Sequence, residues 1–365
     1  MDDREYMRRA IHLARRGWGW TSPNPLVGAV IVKEGRIIAE GWHARWGQPH
    51  AERCALARCT EDPAGATLYV TLEPCCHQGR TPPCTEALIE AGISRVIIGS
   101  RDPNPKVSGR GAALLRAHGI AVEEAFLRRE CDALNPIFFH YITTGQPYVA
   151  LKYAMTADGK LATVTGASQW ITGAEARAHV HTLRGRYRAI LAGIGTVLAD
   201  DPLLSCRAEG GRNPVRVICD SRLRIPPDCR ICRTARRQET IVACAENDPE
   251  KRARLEGLGI TVLCLPDGQG RVDLAALAAA LGQRGIDSIL VEGGSEIHAA
   301  ALAAGIVRRI YAYVGARVFG GRGAKSPLGG PGAAAVEDGP RLALAATEPF
   351  GDDLLLTYDI KEGEK

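Results

Sequence analysis

The chain has 365 residues, and its 46 basic and 41 acidic side chains give a net charge of +5. This length predicts two domains rather than one. Because a nucleic-acid binder needs a dominant basic stripe and a membrane span needs roughly 18 consecutive apolar residues, we expect neither nucleic acid nor membrane as a partner, but an anionic small substrate is compatible with the charge.

The first part of the chain predicts alternating helices and strands. Asp3–Arg16 has the pattern of a helix, and Leu26–Lys33 with Arg36–Glu40 predicts a hairpin. Helix and strand patterns then alternate as far as Ile120–Glu123, which predicts βαβ units and a sheet with helices on both faces. The opening, MDDREYMRRA, is charged and helical rather than a signal peptide, so the twelve cysteines are expected as reduced thiols in the cytoplasm.

A histidine, a glutamate and two cysteines carry the pattern of a catalytic zinc site. PHAERCAL places His50 and Glu52 at the start of a helix, and TLEPCCHQGRTPPC places Cys75 after a strand and Cys84 at the next helix start. Three protein ligands leave the fourth position of zinc for water, which is typical of a catalytic site. Zinc lowers the pKa of that water, and Glu52 would carry its proton to the ring nitrogen and the leaving amine. The pattern therefore predicts hydrolytic removal of an amino group from a nucleobase-like ring.

The choice of the cysteine ligands has alternatives. The simple signature is P-C-x-x-C, but eight residues separate Cys75 from Cys84 here, and Cys76 and His77 are rival ligands. We favour Cys75 and Cys84 because a proline precedes each of them. Cys76 in place of Cys75 is the main alternative.

A second domain is predicted after a break in the pattern near Thr143–Pro147, which divides the chain into domains 1–145 and 146–365. The strand Tyr148–Ala154 begins the second domain, and Leu274–Leu281 predicts an amphipathic helix. Further strands are predicted at Ala189–Ala192, Val215–Cys219, Thr240–Ala243, Thr261–Leu265, Ser288–Val291 and Ile310–Val314.

Two glycine-rich segments follow strands in the second domain. ILVEGGSEIHAAAL predicts a strand, a Gly-Gly turn and a helix start suited to a phosphate, and AGIGTVLADDP has the same order. Each is also compatible with a plain turn, since neither is GxGxxG. Together they predict a nucleotide bound across the strand ends of an α/β fold other than the Rossmann fold. The CxxC at Cys229 and Cys232 lacks a second ligand pair and is interpreted as incidental.

Several segments, in order, resemble the bifunctional deaminase–reductases of riboflavin biosynthesis. In the first half these are TSPNPLVGAVIV, GWHARWGQPHAE, TLEPCCHQGRTPPC and RDPNPKVSGRG. In the second half they are LKYAMTADGKLAT, SQWITG, GIGTVLADDPLLSCR and ILVEGGSEIHAAAL. The resemblance extends from Tyr6 to Asp359. It implies the α/β class, with an N-terminal cytidine-deaminase-like three-layer α/β/α domain and a C-terminal dihydrofolate-reductase-like α/β domain.

The resemblance also implies two reactions. The first is zinc-dependent deamination of 2,5-diamino-6-(5-phosphoribosylamino)pyrimidin-4(3H)-one. The second is NADPH-dependent reduction of the ribosyl group of 5-amino-6-(5-phosphoribosylamino)uracil to ribityl. The implied ligands are one Zn²⁺ per chain, NADPH and a pyrimidine ribosyl phosphate. Assembly into a homo-oligomer is a further possibility. A deaminase–reductase acting on another aminopyrimidine in secondary metabolism is the alternative, because specificity depends on a few pocket residues.

The family's functional positions match individual residues of the first half. His50, Cys75 and Cys84 match zinc ligands, Glu52 matches the proton carrier and Asn24 matches a pyrimidine contact, although an Asn between prolines is also ordinary turn chemistry. Three residues of the insertion are placed to reach the ribose phosphate: His77, Gly79 and Arg80.

In the second half the matches form two sets. The residues matching NADPH contacts are Ala154, Trp170, Thr196, Asp200, Ser221, Gly294, Ser295, Glu296, Ile297, His298, Ala299 and Ala300. The residues matching substrate contacts are Ser168, Arg184, Leu204, Arg207 and Glu292. A guanidinium fork suits a sugar phosphate, but each arginine has a solvated surface charge as its alternative, and Trp170 a core position. Lys152 and Asp158 either orient the substrate or belong to a strand and its turn.

Overall fold

Two units make up the chain in its computed structural model, Met1–Gly145 and Gln146–Lys365. The structure describes residues 1–78, 82–105 and 107–361. Each unit has its own hydrophobic clusters around a sheet, so the predicted α/β class is confirmed for both. Within the described residues no helix combines the length and hydrophobicity needed to cross a membrane.

The first unit is built around a five-stranded sheet of order β2-β1-β3-β4-β5. β1 pairs antiparallel with β2 and β3, while β3, β4 and β5 are parallel. Its strands are β1 (Gly28–Lys33), β2 (Arg36–Trp42), β3 (Thr67–Leu72), β4 (Arg95–Ser100) and β5 (Ala121–Glu123). Its helices are α1 (Asp3–Ala14), α2 (Ala51–Leu56), α3 (Cys84–Glu90), α4 (Arg110–Ala117), α5 (Arg128–Asp132) and α6 (Pro136–Thr144).

The continuous apolar run of β1 follows from burial of both faces of the sheet. Ala29 and Ile31 belong to one hydrophobic cluster, and Val30 and Val32 belong to the other. Because successive side chains of a strand point to opposite faces, a strand between two packed layers is apolar at every position. The α1 helix packs so closely on β1 that a Cβ at Gly28 would lie 2.0 Å from the Ala10 carbonyl oxygen.

The predicted elements of this unit are present with shifted ends. The predicted helix Asp3–Arg16 is α1 followed by a 3₁₀ turn over Arg15–Gly17, and the predicted hairpin is β1–β2. The predicted break near Thr143–Pro147 is shorter than expected. α6, which the sequence did not predict, extends to Thr144, and the next strand begins at Tyr148.

The second unit is built around a nine-stranded sheet of order β10-β9-β8-β7-β11-β6-β12-β14-β13. All neighbours are parallel except at β12–β14 and β13–β14. Its strands are β6 (Tyr148–Thr156), β7 (Ala189–Gly193), β8 (Val215–Cys219), β9 (Thr240–Cys244), β10 (Thr261–Cys264), β11 (Ser288–Glu292), β12 (Val307–Gly315), β13 (Leu342–Phe350) and β14 (Asp353–Ile360). Its helices are α7 (Ala174–Arg186), α8 (Ile194–Asp200), α9 (Arg230–Arg233), α10 (Pro249–Gly257), α11 (Leu274–Gln283) and α12 (Ser295–Ala303).

The strands predicted for this unit are all present, and β13 and β14 are additional. The same two-sided burial explains why the parallel strands were easy to recognise. In β7, Ala189 and Leu191 belong to one hydrophobic cluster, while Ile190 and Ala192 belong to the cluster on the other face. The outer strands β13 and β14 are partly exposed, so the apolar run is weaker there.

Candidate active sites

Three ligand atoms meet at one edge of the first unit's sheet. His50 is the residue before α2, Cys75 follows β3, and Cys84 is the first residue of α3. The His50 Nδ1 atom lies 3.5 Å from the Sγ atom of each cysteine, and the three ligand atoms all lie within 4.8 Å of one another. Over the described ranges, this is the single group of its kind.

These separations fit a zinc ion. With Zn–S near 2.3 Å and Zn–N near 2.0–2.1 Å, tetrahedral ligand atoms lie about 3.5–3.8 Å apart. Cys75 rather than Cys76 lies in this group. Hydrogen bonding with Cys84 and the neighbouring imidazole holds the pKa of the Cys75 thiol well below its ordinary value. Burial instead raises the pKa of Cys76.

Glu52 is placed beside this group without being one of its ligands. It is the second residue of α2 and is only 3% exposed. Burial raises its pKa, and the Cys75 sulfur raises it further, while a hydrogen bond with the Cys84 thiol lowers it. A buried carboxylate at this position is suited to accepting a proton and passing it on.

A cavity of about 380 Å³ opens in front of the group. Asn24 and His43 line it, and His43 was not predicted from the sequence. The Asn24 amide nitrogen lies 3.2 Å from His43 Nε2, and His43 Nδ1 lies 3.1 Å from the Pro49 carbonyl oxygen. Since a carbonyl can only accept, Nδ1 carries the proton and Nε2 accepts from Asn24. Burial lowers the pKa of His43, which keeps the ring neutral.

Two buried carboxylates at the strand ends were also missed. Glu73 follows β3 and accepts hydrogen bonds from the backbone N–H groups of Gly109 and Ala112, at the start of α4. Asp102 follows β4, accepts from the Asn104 N–H at 2.8 Å, and burial raises its pKa to about 6. Both line the cavity. Their position directly after two parallel strands is the signal that predicts such a site.

The unpredicted helix α6 forms another wall of the cavity. Phe138, Tyr141 and Ile142 line the cavity from this helix, and Trp46, which is 44% exposed, lines it from the loop before His50. The cavity is therefore lined by polar residues together with apolar and aromatic ones, as expected for a flat heterocyclic ligand.

Asn135 holds α6 to the segment that carries Asn24. Its buried side chain accepts from the Leu26 N–H at 2.7 Å and donates to the Leu26 carbonyl at 2.9 Å. Asn135→Ala leaves both buried groups without their partner, so we expect the free energy of unfolding to fall by about 2–4 kcal/mol. Urea denaturation measures this loss. Asn135→Asp keeps the acceptor, so its free energy of unfolding should lie between those of the unmodified protein and Asn135→Ala. A loss below about 0.5 kcal/mol for the alanine variant would contradict this role.

The insertion before Cys84 is described only in part. His77 lines the cavity, and its buried Nδ1 atom makes no hydrogen bond to the described residues. Gly79 and Arg80, which the sequence predicted near the ribose phosphate, lie outside the described residues.

The two glycine-rich turns of the second unit lie side by side. β7 and β11 are neighbouring parallel strands, and both end in a glycine turn that begins a helix. A Cβ at Gly293 would lie 3.3 Å from the Gly193 backbone nitrogen, whereas a Cβ at Gly294 would meet nothing within 4 Å. Close backbone approach with open space in front of a nine-residue helix fits a pyrophosphate at the carboxyl ends of the strands.

The predicted cofactor residues divide by their surroundings. Trp170 is 58% exposed with the Arg177 guanidinium over its ring, so it is no core anchor. Ile297 packs against a core cluster, and His298 is 1% exposed with Nδ1 bonded to the Pro327 carbonyl. The remaining predicted cofactor residues are all at least partly exposed: Ala154, Thr196, Asp200, Ser221, Gly294, Ser295, Glu296, Ala299 and Ala300.

The predicted substrate residues Arg184 and Glu292 form one buried pair. Nε and Nη2 of Arg184 donate to the two carboxylate oxygens at 2.8 and 2.9 Å, and Lys152 Nζ lies 3.8 Å from the same carboxylate. The arginine and lysine charges lower the Glu292 pKa to about 2, although burial alone would raise it. The fork of Arg184 is thus already occupied by a carboxylate, and its remaining Nη1 donates to the Ser205 carbonyl.

The other residues of this region lie on loops. Arg207 donates to the ring of His181, Leu204 is buried with its carbonyl accepting from Gln238, and Ser168 is partly exposed. The Thr156 hydroxyl donates to Asp158, as do the N–H groups of Phe319 and Gly320, and these hydrogen bonds lower the pKa of Asp158 to about 2. Asp158 therefore holds a turn.

Comparison with known proteins gives matches over both units. A family model described as "RibD C-terminal domain" matches residues 147–356, and one described as "Cytidine and deoxycytidylate deaminase zinc-binding region" matches residues 1–100. The riboflavin biosynthesis protein RibD of Actinobacillus pleuropneumoniae is 54% identical, over 98% of this chain and 95% of that protein. RibD of Escherichia coli (strain K12) is 40% identical, over 98% of this chain and 99% of that protein.

Solved structures match over the same length. The diaminohydroxyphosphoribosylaminopyrimidine deaminase/5-amino-6-(5-phosphoribosylamino)uracil reductase of Thermotoga maritima has a TM-score of 0.86 and 39% identity, over 98% of each chain. Acinetobacter baumannii RibD, form 1, has a TM-score of 0.88 and 36% identity, over 99% of each chain.

Proposed function

The chain belongs to the RibD family of riboflavin biosynthesis, and from this premise we propose which residues carry out its two reactions and on which substrates. The expected cytidine-deaminase-like N-terminal domain and reductase C-terminal domain are confirmed. The protein is a bifunctional deaminase and reductase that uses zinc and a nicotinamide cofactor. An activity on another aminopyrimidine in secondary metabolism is not favoured.

We propose residues 1–145 as the deaminase domain and residues 146–365 as the reductase domain. The deaminase substrate is the diaminopyrimidinone ribosylamine phosphate, and the reductase substrate is the aminouracil ribosylamine phosphate. The names of the similar Thermotoga maritima enzyme state these two activities for that protein. The cytoplasm is the proposed location, small molecules are the proposed partners, and no role with nucleic acid is proposed.

The observation that carries the deaminase proposal is the buried Glu52 beside the group of His50, Cys75 and Cys84. These three residues would hold zinc, which lowers the pKa of a water molecule when bound. Glu52 accepts a proton from the attacking water and donates it to the ring nitrogen. It then accepts the remaining proton of the added hydroxyl and donates it to the amine, so that the carbon–nitrogen bond breaks, the carbonyl forms and ammonia leaves. Asn24 and the neutral His43 offer polar contacts to the ring in the cavity.

The reductase proposal rests on the pair of glycine turns at the ends of the neighbouring strands β7 and β11. It rests also on the cluster of Lys152 on β6, Glu292 on β11 and Arg184 on α7. NADPH would supply the hydride that C1' of the ribose accepts; the bond between C1' and the ring oxygen breaks, and the ring oxygen takes up a proton and becomes a hydroxyl. The protein positions the two carbons and excludes water. Lys152 and Glu292 are register partners on β6 and β11, which fixes the cluster on rigid strands.

One incubation series tests both assignments. The purified protein is given the diaminopyrimidinone phosphate with and without NADPH, and the products are followed by mass spectrometry. Deaminated product should form without NADPH, and the ribityl product should require NADPH. Absence of the deaminated product in a zinc-loaded sample would reject the substrate assignment.

We expect a preference for NADPH over NADH of roughly ten- to a hundredfold, since about 1.4 kcal/mol corresponds to a factor of ten. Ser221 and Arg222 follow β8, where the adenosine end of a nucleotide commonly lies. The Arg222 side chain is 72% exposed, and its nearest acidic partner is the exposed Glu246 at 3.4 Å. A 2'-phosphate would gain a charge-assisted hydrogen bond there, worth about 1.5–3 kcal/mol.

Ratios of kcat/KM for the two cofactors measure the preference. Arg222→Ala together with Ser221→Ala should erase most of it at an unchanged saturated rate. Arg224→Ala is the control, because Arg224 lies 3.5 Å from the buried carboxylate of Asp220, whereas the Glu246 partner of Arg222 is exposed. Equal use of NADH and NADPH by the unmodified protein would reject this assignment.

A further inference from the structure

His181 and Arg207 form a contact that the sequence did not predict. Nη2 and Nε of Arg207 lie 2.8 and 3.1 Å from Nε2 of His181. A guanidinium has no acceptor and cannot lose its proton in a protein, so it must donate to the ring. Nε2 therefore accepts from the guanidinium, and Nδ1 lies 3.2 Å from the Arg207 backbone nitrogen and beside the Ser205 carbonyl.

The surroundings keep the His181 ring neutral. Burial has the largest effect and lowers the pKa of His181. The charges of Arg184 on the same helix and of Arg207 on the loop lower this pKa further, to about 4, and Glu292 raises it by a smaller amount. A neutral imidazole can accept from Arg207, whereas an imidazolium would repel both arginines. The contact is thus stable at neutral pH.

The contact fixes a loop as well as a side chain. Cys206 donates from its thiol to the His181 carbonyl and from its backbone N–H to the Asn213 side chain. Arg184 donates to the Ser205 carbonyl of the same loop. Two residues of α7 therefore hold the loop that carries Arg207.

The charges of the region favour binding of an anion at the exposed Arg207. Glu292 is a single carboxylate next to Lys152 and Arg184, and its two oxygens are occupied by the Arg184 fork. Arg207 has a neutral ring as its neighbour, so its positive charge has no compensation within this cluster. A phosphate monoester, with a charge of about −1.5 to −2 near pH 7, fits this excess.

We propose that His181 is a positioning residue of the reductase site, which holds the Arg207 guanidinium in the orientation that receives the phosphate of the substrate. This rests on the proposed reductase function and on the match of Arg207 to a substrate contact of the family. His181 does not touch the reacting carbon, so its loss should weaken substrate binding rather than the hydride step. Without the imidazole, Arg207 loses its orientation and binding must order it, which costs rotamer entropy.

The test uses steady-state kinetics of the full chain with aminouracil ribosyl phosphate and NADPH. His181→Ala should raise the KM of the substrate about tenfold, with kcat within about twofold and the KM of NADPH unchanged. His181→Gln should bring the KM of the substrate most of the way back to its normal value, because the carboxamide oxygen can accept from the guanidinium. Competitive inhibition by inorganic phosphate should weaken strongly in His181→Ala and only slightly in His181→Gln.

A double-mutant cycle distinguishes positioning from a general structural role. If His181 acts through Arg207, then His181→Ala should change the KM little in a chain that already has Arg207→Ala. Full additivity of the two effects, or an equal rise in the KM of NADPH, would overturn the proposal. A raised KM in Arg207→Ala with none in His181→Ala rejects the positioning role alone, whereas no effect of Arg207→Ala rejects the substrate contact on which it rests.

Discussion

Glu52→Gln is expected to lower the rate of deamination by about 10²- to 10⁴-fold, the usual contribution of a general acid–base group, while reduction of supplied aminouracil substrate continues at its normal rate. The carboxylate is buried beside the ligand group but is not part of it, so zinc should stay bound. Glutamine keeps the size of the side chain and removes its ability to take a proton. Each activity is measured separately with its own substrate, and zinc by elemental analysis.

The informative comparison is within one preparation of this variant. The two activities belong to different units, so reduction serves as the internal control for folding. A parallel fall in reduction, or a loss of zinc, would show that Glu52 supports the structure rather than the chemistry. Glu52→Asp is a useful second variant, because it retains a carboxylate on a shorter side chain and should keep more activity than the glutamine variant.

Cys75→Ser and Cys84→Ser are each expected to lose zinc and deamination together. Each thiol lies 3.5 Å from the His50 Nδ1 atom, and a serine hydroxyl is a poor replacement for a thiolate ligand of zinc. Apparent binding free energies near 10–16 kcal/mol for structural zinc sites show how much a complete ligand set contributes.

Cys76→Ser is the matched control, since it changes the adjacent residue in the same way. Cys76 lies outside the ligand group, and burial raises the pKa of its thiol. This variant should keep both zinc and activity. A metal-free Cys76→Ser protein would mean that Cys76, not Cys75, is the ligand.

The local chemistry of the deaminase site was readable because its components are close in sequence or adjoin predicted elements. His50 and Glu52 are two residues apart at a helix start, and Cys75 and Cys84 each lie at the end of a predicted strand or the start of a predicted helix. Spacing and residue type suffice to predict such a group. Asn135 forms hydrogen bonds with Leu26, 109 residues away in the sequence, and no nearby sequence pattern predicts this contact.

In the second unit, sequence predicted the strands and the glycine turns but not which strands are neighbours. Continuous apolar runs identify strands buried on both faces, whatever their order. The adjacency of β7 and β11 brings the two glycine turns together, and this follows from sheet order. The exposure of Trp170 likewise required the structure, because an aromatic residue alone is compatible with both a core and a binding surface.

The α/β class, the division of the chemistry between two domains and the residue types suited to zinc could be predicted before folding is considered, because they depend on local periodicity and ligand chemistry. Which charges contact each other depends on how the strands pair. Arg184 looked like a phosphate ligand, yet its fork is paired with Glu292, which is 108 residues away in the chain. Arg207 instead faces His181. Charged side chains pair with the opposite charges that strand pairing brings close to them, and the spacing of residues in the sequence does not predict which strands pair.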